Sequence, residues 1–240
     1  MEKQIKKVDE LLDKTKGFSA QQILQFTYSE FSGRIIFASS LGEEDQVLTD
    51  MISKIQPEIE IFTLDTGRLF AQTYELIAKT QKRYPMKFSI YYPQTEAVEK
   101  MVQDKGINLF YESVENRKLC CGIRKVEPLQ RALKNVDAWI TGLRRAQSIT
   151  RSTLKPFEWD EQNHRIKINP LADWSLTQVE QYIKENKVDV NPLHKEGFRS
   201  IGCAPCTRAI KSGEDIRAGR WWWEQPEQKE CGLHTRLKSK

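Results

Sequence analysis

No run of about 18 or more apolar residues occurs anywhere in the 240-residue chain, so no segment reads as a membrane-spanning helix. No internal repeat and no low-complexity tract is present. The N-terminus, MEKQIKKVDELLDKTKG, mixes both charge signs and lacks an apolar h-region, so it does not read as a secretory signal, and cytoplasmic residence is expected. No Gly-Lys-Ser/Thr phosphate loop of the kinase type appears. Cysteine is scarce: there are five, an odd number. Disulfides are not expected to persist in a cytoplasmic chain, which leaves metal binding or catalysis as the use for these thiols.

What is present fits an ordinary globular protein. Hydrophobic residues make up 39% and charged residues 30%, and the length suits one α/β domain with or without a small appendage. The net charge of +5 is a mild excess, equally compatible with a small anionic ligand, a weak nucleic-acid surface or neither. Position matters more than the total: basic residues gather at Arg144–Arg145, Arg151 and Arg217–Arg220. Apolar spacing predicts helices within 4–26, then strands at 34–40, 58–67, 87–93 and 136–143, separated by helices at 44–55, 70–83 and from about 95. Strands alternating with helices of this length predict βαβ units and a doubly wound, Rossmann-like parallel sheet. Beyond about 156 the texture changes: a short strand, HRIKINPL, a helix at 175–186, a Pro/Gly-containing stretch and a polar end rich in Trp and Arg. The expected division is an α/β domain over 1–215 and a flexible tail over 216–240.

Four cysteines form two pairs. Cys203-Ala-Pro-Cys206 is a CxxC knuckle, which alone suits a redox dithiol, half a zinc site or half an iron–sulfur site. Cys120 and Cys121 are adjacent. Neighbouring thiols close a disulfide only with strain and are unusual partners for one tetrahedral zinc ion. A larger cluster offers separate metal atoms and relaxes that demand.

Three segments, CCGIRKVEPLQRAL (120–133), GFRSIGCAPCTRAI (197–210) and ECGLH (230–234), resemble the assimilatory adenylyl-sulfate reductases, relatives of the phosphoadenylyl-sulfate reductases. The resemblance runs through about 33–235. It implies a fold of the PP-loop adenine-nucleotide type and one 4Fe-4S cluster per subunit on Cys120, Cys121, Cys203 and Cys206. The paired cysteines imply adenosine 5′-phosphosulfate as substrate, with the 3′-phosphorylated nucleotide as the alternative. Cys231 is implied to be the nucleophile that takes a sulfonate, and thioredoxin the donor that releases sulfite. The chain ends soon after Cys231, so that donor is expected to be a separate protein. His234 could tune the Cys231 thiolate or be a solvated histidine. No nucleic-acid or membrane partner is expected, and the oligomeric state is left open between monomer and homo-oligomer.

The substrate groups follow. SSLGEED (39–45), where the first strand turns into a helix, presents Ser39, Ser40 and Gly42 in a turn suited to an anion. It looks like a degenerate PP-loop in which Glu43 and Glu44 stand where a lysine is usual, which argues against ATP hydrolysis there. LDTGRLF (64–70) resembles the family's LDTGRLH, with Phe70 in place of the histidine; Asp65 and Arg68 are its candidate contacts, or Asp65 and Thr66 cap a turn. In a regular helix Lys125 lies one turn beyond Cys121 on the same face, and Arg124 points elsewhere. The resemblance carries phosphate and sulfate contacts to Lys125, Arg144 or Arg145, Arg151, Arg217 and Arg220, since arginine suits bidentate oxyanion binding. At least one of Trp221–Trp223 is expected in the core. Two other classes compete: an ATP pyrophosphatase on the same fold, and a zinc-stabilised nucleic-acid module.

Overall fold

The computed structural model describes residues 2–148 and 151–225. The chain divides into two compact units. The first comprises Met1–Thr63, Gln72–Ser89 and Asn135–Asn191; the second comprises Leu64–Ala71, Ile90–Lys134 and Pro192–Lys240. Each unit is assembled from three separated segments of chain.

The first unit carries the sheet. Helices α1 (Glu2–Lys14) and α2 (Ala20–Glu30) lead into β1 (Ile35–Ala38), α3 (Glu43–Ile55), β2 (Glu60–Leu64), α4 (Ala71–Arg83) and β3 (Phe88–Tyr91). After the second unit's helices come β4 (Ala138–Ile140), β5 (Phe157–Asp160), β6 (Arg165–Ile168) and α8 (Leu176–Asn186). The six strands lie in the order β3-β2-β1-β4-β6-β5. β1 pairs in parallel with β2 and β4, β4 in parallel with β6, and β5 runs antiparallel to β6. The run Ile35, Ile36, Phe37 is buried without alternation, as a parallel strand covered on both faces requires. Order reverses between β1 and β4, so the loops leaving these two strands define the switch point where doubly wound sheets bind ligands.

Helix ends follow local chemistry. Ser19 and Ser175 cap α2 and α8 through reciprocal bonds with Gln22 and Gln178. Leu24, Phe37, Val47, Leu48, Ile140 and Phe157 belong to one buried core. A buried carboxylate, Asp50 on α3, accepts from Tyr84 at 3.0 Å, Tyr182 at 2.8 Å and Lys54 at 2.6 Å, stapling α3 to α8 and to the residue after α4.

The second unit holds α5 (Thr95–Lys105), α6 (Val114–Cys121), a π-helical turn over Gly122–Val126 and α7 (Glu127–Ala132). Its core is small: Met101, Leu109, Phe110, Trp221 and the thiols of Cys203 and Cys206. Among the described residues no helix is long and apolar enough to cross a membrane.

Candidate active site

Ser113 caps α6, accepting from Asn116 N at 3.1 Å, and the helix delivers Cys120 and Cys121 at its last turn. There the winding loosens: Glu127 N reaches back to Gly122 O, an i→i−5 bond. Pro128 stands just beyond, and it has no N–H for the carbonyl of Arg124, against which its ring would crowd. The wider turn corrects the regular-helix expectation for Arg124. Its side chain is buried, donates to Thr66 O at 2.6 Å and lines the same cavity as Lys125 and the cysteines. Pro128 was the signal in the sequence that could have shown this.

Opposite α6 lies the CxxC knuckle. A 3₁₀ turn over Ala204–Cys206 closes with Cys206 N to Cys203 O at 2.9 Å, and Thr207 Oγ1 donates to the same carbonyl at 2.9 Å. Ala204 N bonds Arg68 O at 2.8 Å, and Tyr111 donates to Pro205 O at 2.7 Å, so the knuckle is pinned from two sides. Gly202 just before it lets Arg220 approach: a Cβ there would stand 2.4 Å from Arg220 Nη2, so the guanidinium would have to shift.

All four cysteines line one cavity of about 320 Å³, counted with its open mouth, together with Arg68, Arg117, Arg124 and Lys125. Burial raises the Cys206 thiol to about 12, and the charge of Cys203 adds to it. Burial also works against the Cys203 thiolate, but Lys125, a 3.2 Å contact with the Thr66 hydroxyl, Arg220 and Arg124 outweigh it and leave that thiol below its ordinary value. Cys120 is raised by burial, against the opposing charge of Arg124. The cavity thus carries a positive field facing four thiols. Among the described residues no three His, Cys, Asp or Glu side chains converge closely enough to hold a metal ion. The four thiols lining this cavity could hold a multi-atom iron–sulfur cluster, whose thiolates bind separate irons. The surrounding guanidinium and ammonium groups suit the net negative charge of such a centre.

Arg220 and Arg117 flank the Trp221 ring, at 4.6 Å and 4.8 Å from its centroid. Trp221 is in the core, as at least one of the three tryptophans was expected to be. Arg68 sits over Phe110 at 5.4 Å and donates to Ile107 O at 2.9 Å. Arg217 is half-buried and does not line the cavity; its backbone N bonds Asp215 at 2.8 Å. Asp65 is buried and accepts from Gly67 N at 2.7 Å, closing a turn rather than capping α4, which starts later at Ala71. Phe70, where the family has histidine, packs edge-on against Phe198 at 5.4 Å.

The remaining candidates belong to the first unit. Ser39 N bonds Phe62 O at 2.8 Å, Leu41 N bonds Ser39 Oγ at 3.2 Å, and Gly42 is the N-cap of α3. Ser40 turns both its N–H and its hydroxyl onto Asp45, at 2.6 Å each. Of the two candidate arginines, Arg144 is buried and paired with Glu44 at 2.6 Å. Arg145 pairs with Asp173 and donates to Leu154 O at 2.5 Å. Arg151 donates to Gln147 Oε1, which also accepts from Arg144 N at 3.1 Å. Cys231 and His234 lie outside the described residues.

The model of the phosphoadenosine phosphosulfate reductase domain matches residues 34–209. The chain belongs to this family. Within it, an Allochromatium vinosum protein named adenosine 5′-phosphosulfate reductase is 54% identical over 222 residues, 92% of this chain and 86% of that one. A Rhizobium meliloti protein of the same name is 52% identical over 203 residues, 85% and 77%. Among solved structures, the phosphoadenylyl-sulfate reductase of Candida auris, in a phosphate complex, aligns with a TM-score of 0.73 at 33% identity, covering 85% of this chain and 96% of that one. The Candida glabrata FMN adenylyltransferase shares only the fold, with a TM-score of 0.57 at 17% identity. These neighbours agree with the mostly parallel α/β sheet expected from the sequence.

Proposed function

We propose that the chain reduces adenosine 5′-phosphosulfate to sulfite and AMP, with thioredoxin as the electron donor. The observation that carries this reading is the four-thiol, cation-rimmed cavity, in a chain about half identical to proteins named adenosine 5′-phosphosulfate reductase. Cys120, Cys121, Cys203 and Cys206 would hold one 4Fe-4S cluster, which when bound supplies a fixed negative charge and a brace between α6 and the CxxC knuckle. Around it, Lys125 and Arg220, whose charges lower the Cys203 thiol, would draw in an oxyanion.

The chemistry falls to Cys231. Its thiolate attacks the sulfate sulfur; an S–S bond forms, the bond from sulfur to the phosphate oxygen breaks, and AMP leaves with that electron pair. A donor thiolate then attacks the Cys231 sulfur. Sulfite departs, a mixed disulfide forms, and the donor's second thiol resolves it, returning Cys231 as a thiol. The two electrons come from the dithiol, so the balance closes by thiol exchange alone.

Intact-mass measurement after incubation with adenosine 5′-phosphosulfate, without reductant, tests the reading. A single sulfonate adduct on the peptide carrying Cys231 is expected, and no adduct there overturns it. The relation to the Candida auris enzyme favours one alternative, the 3′-phosphorylated nucleotide. Comparing kcat/KM for the two nucleotides decides between them.

A further inference from the structure

A turn that runs from a strand into a helix N-terminus normally leaves backbone N–H groups open for an anion. In the β1–α3 turn the N–H groups of Ser40 and Leu41 are already taken. Ser40 N and Ser40 Oγ both bond Asp45 Oδ2 at 2.6 Å, and Leu41 N bonds Ser39 Oγ at 3.2 Å. The other carboxylate oxygen lies against the loop after β4, so close that a Cβ on Gly142 would stand 2.1 Å from it. Asp45 is buried at 7% exposure. The nearby cation does not serve it: Arg144 is committed to Glu44 through Nε at 2.8 Å and Nη2 at 2.6 Å. The first turn of α3 therefore brings Glu43, Glu44 and Asp45 to the place where a bound phosphate would need donors.

We propose that Asp45 is a built-in anion: its carboxylate fills the β1–α3 turn and excludes a free or nucleotide-borne phosphoryl group from it. An entering phosphate would have to displace a carboxylate held by Ser40, against a repulsion strengthened by burial. The turn is thereby shaped without ligand, and a nucleotide whose polyphosphate must lie there is rejected. The inference concerns anion binding alone and stands or falls apart from the reductase reading.

Calorimetric titration with inorganic pyrophosphate tests it on the full-length protein, on Asp45→Asn, on Ser40→Ala and on the double variant. Asp45→Asn is expected to gain affinity by about tenfold or more over the unchanged chain, as removal of one close like charge predicts. Ser40→Ala keeps the carboxylate and is expected to gain none; added to Asp45→Asn it is expected to reverse the gain, which places the new binding in this turn. Asp45→Ser is read by the same criteria should Asp45→Asn fail to fold by circular dichroism. Equal affinity of the unchanged chain and the Asp45 variants overturns the proposal. So does pyrophosphate binding by the unchanged chain that Ser40→Ala abolishes.

Discussion

Arg117 and Glu224 form a two-point ion pair, Nε to Oε1 at 2.9 Å and Nη2 to Oε2 at 2.8 Å, with side chains only 1% and 2% exposed. The pair ties α6 to the segment that follows the three tryptophans. Its guanidinium also faces the Trp221 ring and bonds Cys121.

Glu224→Ala leaves that guanidinium buried without its carboxylate. A loss of about 3–5 kcal/mol is expected, as for other broken buried pairs. Replacing both partners with apolar residues of similar volume, Arg117→Met with Glu224→Leu, is expected to recover most of it. Urea denaturation of the three variants is the check, and a loss below about 1 kcal/mol for Glu224→Ala would contradict the burial argument.

Lys125 lines the cysteine cavity, and its charge lowers the Cys203 thiol. Lys125→Met is expected to lower the rate of sulfite release by about 10²–10³-fold, the usual loss when one charge-stabilising donor is removed. The rate is read with saturating reductant. An unchanged kcat/KM would assign the lysine to the solvated surface.

Cys203→Ser removes a buried thiol of the cavity that its cationic neighbours hold below its ordinary value. Protein purified without oxygen is expected to be brown and to carry about four irons per chain; the variant is expected to be colourless or to lose most of its iron. Iron analysis and visible absorption report this without any assay of turnover. A colourless wild-type protein containing stoichiometric zinc would refute the cluster.

Asp45 supplies a pH test. Burial pushes its carboxyl up to about 6 from 3.8, the Ser40 bonds pull it down, and the charge of Glu44 raises it again. The folded value lies above the unfolded one, so the folded state keeps a proton that the unfolded chain releases. Stability from this group is fully present below about pH 4 and is lost as the pH rises to about 6. Relative to Asp45→Asn, the unchanged protein is expected to lose stability across that window and to run parallel above it. A constant difference from pH 4 to 7 by urea denaturation would show that Asp45 does not titrate there.

Much of this was legible in the sequence because the strongest signals are local. The apolar run at Ile35–Phe37 and the periodic helices at Glu43–Ile55 and Leu176–Asn186 report their own environment. β5 did not announce itself: Phe157–Asp160 is four residues long and joins β6 by a turn with no glycine, where His164 takes φ 52. Its strand character comes from pairing with β6, which one sequence does not display. Arg124 was misplaced because a regular helix was assumed through Gly122–Val126. Nothing local marks Asp45, which lies against Gly142, nearly a hundred residues further along the chain. The two cysteine pairs could be told from spacing alone, but not that they share a cavity with Arg117.

The interleaving of the two units has a practical consequence for protein engineering. Each is stitched from three separate stretches of chain, so no single cut releases either one. A fragment carrying all four cavity cysteines must run from Cys120 to Cys206, and it drags along β4, β5, β6 and α8 without β1, beside which β4 is hydrogen-bonded. Such a fragment would expose a raw strand edge and aggregate. The cysteine-bearing unit is therefore not a cassette that recombination can lend to another protein.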